Sequence, residues 1–345
     1  MSSGRGGRAW WTTLGRGRAR SSMTSSANTS EIPENRPSTA PTVSERHKYV
    51  LMTAAYNEET TIARTLESVT HQTLVPERWV VVSDGSSDGT DEIIKSYAQA
   101  WPFIRYVRRE RSPGRSFGAK VRALHDGAKL LSECQYSLIG NVDADVSLDP
   151  TYFEELIAQF DRRPRLGIAG GFFYEEQQGQ FKNRSANRTY AVTHAAQLVR
   201  RECYEAIGGY AVLEFGGEDW HAETSARMKG WEIEAFPALK IFHHRRTGEA
   251  SGLLRYKFRQ GRMDYSFGSD PAFEIFKCLL RVPEKPVFFG CMARLGGFFW
   301  AVTRRDTRPV SREFIRFLRA EQRDKLISLF STGKLPGHPR VDSHP

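Results

Sequence analysis

Tyr49-Val50-Leu51-Met52-Thr53-Ala54-Ala55-Tyr56-Asn57-Glu58-Glu59 joins an almost continuous apolar run to a polar turn. An apolar run without alternation suits a strand covered on both faces. Past the turn, Ile62, Leu66 and Val69 fall at i, i+4 and i+7, the buried stripe of a helix. The pattern then repeats. Trp79 to Val82 reads as a second strand, ended by Ser83-Asp84-Gly85, and Asp88 is a plausible N-cap for a helix carrying Ile93, Ile94 and Tyr97. Phe103–Val107 reads as a third strand and Ser116–Leu131 as a helix. Tyr136–Val142 reads as a fourth strand that delivers Asp143 and Asp145 at its end. Pro150 stands at the start of the next helix, whose core face is Phe153, Leu156, Ile157 and Phe160. This alternation of strand and helix predicts an α/β fold, a doubly wound, mostly parallel sheet with helices on both faces.

The rest of the chain is less regular. Gly167–Phe173 and Trp231–Phe236 are strand candidates, and residues 218–229 read as a helix. From about residue 250 a helical C-terminal region is expected, with Phe314, Phe317, Leu318, Leu326 and Leu329 as its apolar positions. The expected organisation is a disordered Arg/Ser-rich tail over 1–47, a first half over 48–147, a second over 148–250, and the helical region over 251–345.

The chain has 345 residues, 26% charged and 39% hydrophobic, and a net charge of +10. Those proportions describe a globular protein and favour anionic partners. Residues 1–30 hold five Arg and no acidic residue, so part of that charge belongs to the tail. Cys134, Cys203, Cys278 and Cys291 form no Cys-x-x-Cys pair, which reads as reduced thiols in a cytosolic protein. No apolar run reaches the length of a membrane span, and the N-terminus lacks the apolar core of a secretory signal. The apolar stretch Phe288–Trp300 reads first as a core or domain-closing helix. Its basic flanks, Arg281, Lys285, Arg304 and Arg305, also permit peripheral contact with acidic lipid. A cytoplasmic protein is expected, with peripheral contact at the inner face of the cell membrane permitted.

Acidic signatures punctuate this frame: Asp84-Gly85-Ser86-Ser87-Asp88-Gly89-Thr90, Asp143-Ala144-Asp145 and Glu218-Asp219-Trp220. The first two follow strands, where α/β sheets place their ligand loops. An Asp-x-Asp pair there can hold a divalent cation through oxygen, as a metal–diphosphate site requires. With Ala55-Tyr56-Asn57-Glu58-Glu59, these segments resemble the ordered motifs of the family 2 glycosyltransferases, over residues 49 to about 247 and more weakly to about 265. Each motif is weak alone; the ordered set is specific.

The resemblance implies the GT-A fold and an inverting, metal-dependent transfer of one sugar from a nucleotide-sugar donor. The acceptor would be a hydroxyl of a glycan or lipid-linked molecule, in cell-surface polysaccharide or glycolipid synthesis. It makes Asp84 the acceptor of hydrogen bonds from the donor's base, with Ala55, Tyr56 and Glu58 the wall around base and ribose. Core packing is the plain alternative for Tyr56, and N-capping for Asp88. Asp145 is implied as a ligand of Mn²⁺ or Mg²⁺, with Asp143 on the ribose or a metal-bound water. Asp219 would be the catalytic base and Glu218 its orienting partner or an acceptor contact. His243 and His244 resemble a downstream metal-ligand position, and at most one can serve because neighbours on a strand face opposite ways. Arg245 and Arg246 could grip diphosphate, and Arg115 and Lys120 lie where the family places donor-contacting cations. Arg200 and Arg201 are either acceptor-site or surface residues.

The chain departs from the processive members. Their Gln-x-x-Arg-Trp has as its nearest counterpart Arg259-Gln260-Gly261-Arg262-Met263, and Ala54 stands where a Pro is usual. Single-sugar transfer is therefore expected. A sugar nucleotidyltransferase is the competing enzyme class, but it wants a Gly-rich loop where Tyr-Asn-Glu-Glu stands. A non-enzymatic nucleic-acid or lipid-binding role for the Arg-rich tail, which carries Trp10 and Trp11, leaves the acidic signatures unexplained. No nucleic-acid partner is expected.

Overall fold

The structure is a computed structural model and describes residues 47–110, 118–177, 179–183, 187–245, 252–281 and 287–332. The alternation read from the sequence forms β1 (Tyr49–Ala55), α1 (Ile62–Thr70), β2 (Arg78–Ser83), α2 (Thr90–Ala100), β3 (Ile104–Arg108), α3 (Ala119–Leu131) and β4 (Leu138–Val142). Then follow β5 (Val146–Leu148), α4 (Tyr152–Arg162), β6 (Leu166–Gln177), β7 (Gln180–Asn183), β8 (Ala196–Arg200), α5 (Arg201–Ala206), α6 (Glu218–Met228) and β9 (Glu232–His243). The helical region comprises α7 (Leu253–Ser266), α8 (Pro271–Leu280), α9 (Phe289–Arg304) and α10 (Arg312–Thr332).

Among the described residues the strands form one sheet in the order β3-β2-β1-β4-β8-β6-β9-β5, with β7 paired to β6. The first four strands are parallel. Beyond them the sheet is mixed: β8 runs antiparallel to both β4 and β6, β6 and β9 are parallel, and β5 returns antiparallel to β9. The parallel winding expected from the sequence therefore holds for the first half. Both sequence halves share the sheet, since β5, from the first, pairs with β9, from the second.

Side-chain alternation along β1 splits the core into two layers. Tyr49, Leu51 and Ala55 join α1, α4 and Ile94 of α2 on one face. Val50 and Met52 join α3, Cys203 of α5, and Ala222 and Ala226 of α6 on the other. This is why β1 has no polar face. Each buried Val or Leu contributes about 1.5–3 kcal/mol relative to exposure, so the strand cannot slip register without exposing one layer or the other.

Several boundaries differ from the sequence reading. α4 starts at Tyr152, one residue past its cap Thr151, so Pro150 precedes the helix and does not open it. α2 starts at Thr90 with Gly89, not Asp88, as its N-cap; Asp88 stands one residue earlier and accepts from the Thr90 amide at 3.1 Å. β9 runs on to His243, twelve residues, where Trp231–Phe236 was expected. β5, β7, β8 and α5 were not expected from the sequence; β5 and β7, three and four residues long, are too short for periodicity to show. Residues 111–117, with Arg115 and the start expected for α3 at Ser116, and Arg246 lie outside the described residues, as do 1–46.

Candidate active site

The parallel register brings Ala55 of β1 beside Ser83 of β2, so their following loops meet. They are tied reciprocally. The Asn57 amide donates to Ser86 Oγ at 3.2 Å, the Ser87 amide to Asn57 Oδ1 at 2.9 Å, and the Glu58 amide to Thr90 Oγ1 at 2.7 Å. The Gly89 amide in turn donates to Glu59 Oε2 at 2.7 Å. Asn57 takes φ +52° to do this, a left-handed conformation that Asn tolerates better than most side chains.

This double loop presents Asp84, whose carboxylate is buried and lies 3.3 Å from Arg109 Nη1. Arg109 also reaches Asp126 at 3.4 Å. Sequence reading missed Arg109, which sits in a run of charges after β3 and has no spacing to distinguish it. Tyr56, by contrast, is 41% exposed. Its ring is available as a wall and is not a core residue.

At the end of β4 stand the paired aspartates. Lys120, in the first turn of α3, reaches Asp143 Oδ1 at 2.6 Å. Burial pushes the Asp143 carboxyl up to about 6, the Lys120 charge resists that, and Asp145 adds to it. Burial works against the Lys120 ammonium, yet the charges of Asp143 and Glu218 raise it above its ordinary value. Lys120 is thus a permanent cation between the Asp-x-Asp segment and the start of α6.

Asp145 Oδ2 lies 3.0 Å from His243 Nε2. Burial opposes the charge of Asp145, but the His243 hydrogen bond and charge, with Arg245 and Lys120, hold its carboxyl below the ordinary range. His244 faces the other way, with Nε2 2.9 Å from Ser147 Oγ and Nδ1 3.1 Å from Arg64. The alternation of β9 therefore selects His243 as the imidazole facing the aspartate. Arg245 pairs with Glu58 and comes within 4.0 Å of Asp145. Burial, with help from Asp145, pushes the Glu58 carboxyl up to about 7 despite Arg245.

Asp219 opens α6 behind Gly216 and Gly217, both at positive φ. Its Oδ1 accepts from the Trp220 amide at 2.7 Å. Burial first, and the Glu218 charge second, raise its carboxyl above the usual range, while Lys120 pulls the other way. The acids Glu58, Asp143, Asp145, Glu218 and Asp219 thus share one electrostatic neighbourhood with Lys120 and Arg245.

Arg200 and Arg201 have other work. Arg200 sits across from Leu138, at the end of β4 opposite Asp143, and donates to the carbonyls of Phe160 and Leu166. Arg201 pairs with Glu205 and lies over the Tyr136 ring.

Among the described residues no group of three or more His, Cys, Asp or Glu side chains converges. Asp145 and His243, however, supply one oxygen and one nitrogen 3.0 Å apart. Two adjacent ligands of an octahedral ion, each at about 2.1 Å, stand about 3.0 Å from each other. The pair fits two corners of such a site and leaves the remainder to a ligand's phosphate oxygens and water.

Residues 51–217 match the model of the family described as glycosyl transferase family 2. The match takes in a little under half of this chain. Poly-beta-1,6-N-acetyl-D-glucosamine synthase of Staphylococcus epidermidis is 32% identical over 118 residues, 34% of this chain and 26% of that protein. The Staphylococcus aureus protein of the same name is 30% identical over 129 residues, 37% of this chain and 29% of its own. The matched segment therefore spans roughly a quarter of the length of these curated relatives. Among solved structures, the mannosyltransferase PcManGT from Pyrobaculum calidifontis, in complex with GDP-Man and Mn²⁺, superposes with TM-score 0.50 at 16% identity, covering 86% of this chain and 85% of that one. GalNAc-T7 with UDP, GalNAc and Mn²⁺ gives TM-score 0.53 at 16% identity, covering 85% and 59%. At that identity the likeness concerns the fold, and the fold is GT-A.

Proposed function

We propose that this chain is an inverting glycosyltransferase that moves one sugar from a nucleotide-sugar to a hydroxyl of a glycan or lipid-linked acceptor, in the making of a cell-surface polysaccharide or glycolipid. The observation that carries the reading is the grouping of Asp143, Asp145, Glu218 and Asp219 around Lys120, beside the double loop that bears Asp84. The family match and the polysaccharide-making relatives support it.

In this reading the base of the donor lies against Tyr56 and donates to the Asp84 carboxylate, which Arg109 orients. Lys120 and Arg245 offset the charge of the diphosphate at both sides of the Asp-x-Asp segment. Asp145 and His243 would hold the divalent cation, and an imidazole ligand suits Mn²⁺ better than Mg²⁺. When bound, the cation stabilises the diphosphate as a leaving group. Asp219 accepts the proton of the acceptor hydroxyl, and its raised carboxyl makes it a better base than an ordinary aspartate. Glu218, beside it, keeps it basic by charge. Attack from the side opposite the leaving diphosphate inverts the anomeric centre.

The deciding experiment is calorimetric titration of UDP, GDP, dTDP and CMP, each with and without Mn²⁺, into the chain and into Asp145→Ala. One diphosphate is expected to bind in a metal-dependent way and to lose that binding in the variant. Absence of metal-dependent binding by every nucleotide would sink the reading. Release of pyrophosphate instead of nucleoside diphosphate during turnover would move the protein to the nucleotidyltransferases.

A further inference from the structure

Helices α8 and α9 carry an apolar surface that no other described residue covers. In α9, Phe289, Met292, Gly296, Phe299 and Trp300 follow a spacing of three, four, three and one, which places them on one face. Phe289 is 65% exposed and Trp300 50%. The opposite face, with Arg294, Gly297, Phe298 and Ala301, is buried against α7. Leu279 and Leu280 at the end of α8 and Phe288 before α9 are each more than half exposed as well, and the Phe288 ring meets that of Phe289. Large side chains concentrated in this way cost free energy in water and mark an interaction surface.

Charge decides between partners. The acids of α7 and α8 point inward. Asp264 is buried between Arg294 Nη2 at 2.7 Å and Lys277 at 3.2 Å, and Glu274 is wholly buried beside Lys277. Most of the charges at the rim are basic, with Asp306, 3.9 Å from Arg304, an acid among them. Arg255, Arg281, Arg304, Arg305 and Arg308 are all exposed, and Arg304 lies over the Trp300 ring at 5.9 Å. An apolar face carrying an aromatic residue and rimmed by arginine complements an acidic lipid surface: acyl boundary for the apolar side chains, headgroup phosphates for the guanidinium groups. α9 has sixteen residues, about 24 Å of helix, against a hydrocarbon core of about 30 Å. No described helix is long and apolar enough to cross a membrane, so the geometry suits lying in the interface.

We propose that the α8–α9 surface docks this chain on a bilayer containing anionic lipid. α7, on which α9 packs, joins the docking surface to the site. Met263 and Phe267, on and just past α7, pack so closely on Gly217 that a Cβ there would meet Met263 Sδ at 2.8 Å and the Phe267 ring at 3.0 Å. Gly217 immediately precedes Glu218 and Asp219. Docking therefore sets the orientation of the α6 end of the cleft relative to the lipid plane. The proposal goes beyond the transfer reaction and stands without it.

The test is sedimentation of the full chain with vesicles of phosphatidylcholine, alone or mixed equally with phosphatidylglycerol. Two double variants accompany it, Phe289→Glu/Met292→Glu and Arg281→Glu/Arg304→Glu. Acids in the first turn of a helix suit its dipole, so the first variant should keep its fold, which circular dichroism checks. With each interfacial arginine worth about 1 kcal/mol near an anionic surface, partitioning should be at least about tenfold stronger on the mixed vesicles and should fall with salt. Both variants should lose it. Trp300 should blue-shift on binding, a signal absent in Trp300→Phe. Equal or absent binding to the two vesicle types overturns the proposal. So does anionic binding that survives Phe289→Glu/Met292→Glu, because another face would then be responsible. A dimer in sedimentation velocity that this same variant dissociates, without vesicle binding, assigns the surface to a second copy of the chain.

Discussion

Asp219 and Asp145 divide the labour of the proposed site, and single substitutions separate them. Asp219→Asn removes the proton acceptor while keeping the size and the Trp220 amide contact. It should lower kcat by about 10²- to 10⁴-fold and leave nucleotide affinity unchanged by calorimetry. Because burial and Glu218 raise the Asp219 carboxyl, and the base works ionised, transfer should be lost as pH falls through that raised value. The acid limb should thus lie above the range of an ordinary aspartate, and Glu218→Gln, which removes the neighbouring charge, should move it downward. A limb unmoved by Glu218→Gln would mean that another group controls it. The residue scale also shows where sequence reading stops. The acids were legible because each ends a strand or opens a helix. Arg109, which holds Asp84, was not, because its role depends on where β3 ends relative to β2 and on no spacing of its own. The choice of His243 over His244 needed the register of β9 on β5, which pairs His243 with Val146.

At the scale of elements, the helical region depends on backbone approach. A Cβ on Gly261 of α7 would collide with the Arg294 carbonyl of α9, and one on Gly297 of α9 with the Phe258 carbonyl of α7. Neither backbone can yield without moving its helix. Gly261→Ala and Gly297→Ala should each destabilise the fold by about 1–3 kcal/mol or more, read as a lowered denaturation midpoint, although alanine has the better helix propensity. An increase in stability would show that the crossing is looser than described. α8 begins with Asp270, whose carboxylate accepts from the amides of Ala272 and Phe273, followed by Pro271 at the first helical position. Asp270→Ala should cost about 1 kcal/mol by the same measurement. The cap is readable in sequence as Asp-Pro before an apolar run. The Gly–Gly crossing is not, since it joins residues thirty-six positions apart.

For the whole molecule, Glu223 ties α6 to the segment that leads into the sheet at β8. On α6, its Oε1 accepts from the Val192 amide in the segment before β8, and Arg227 lies 3.9 Å from its other oxygen. Burial pushes its carboxyl up to about 8, against the pull of Arg227. The folded protein therefore holds a proton that the unfolded chain releases near 4.5. Between about 4.5 and about 8, unfolding sheds that proton, so stability should fall as pH rises, by at most about 1.4 kcal/mol per pH unit. Glu223→Gln keeps the acceptor oxygen and should flatten the dependence in urea titrations from pH 5 to 8. An unchanged slope would assign it to other groups.

What the sequence by itself determined was everything local. Uninterrupted apolar runs made β1, β2 and β4 two-sided strands, helical periodicity set α1 to α4, and acids after those strands marked the site, because each depends only on neighbours along the chain. What only the tertiary structure decided was the pairing of distant pieces. It brought β8 in antiparallel between β4 and β6, turned Lys120 onto Asp143, turned His243 onto Asp145, and left the apolar face of α9 outward. Those outcomes depend on which layers compete for the same buried surface and on which charges lose water together. Hydrophobic periodicity tells that a side chain must be covered, and only the assembled sheet and helices settle what covers it.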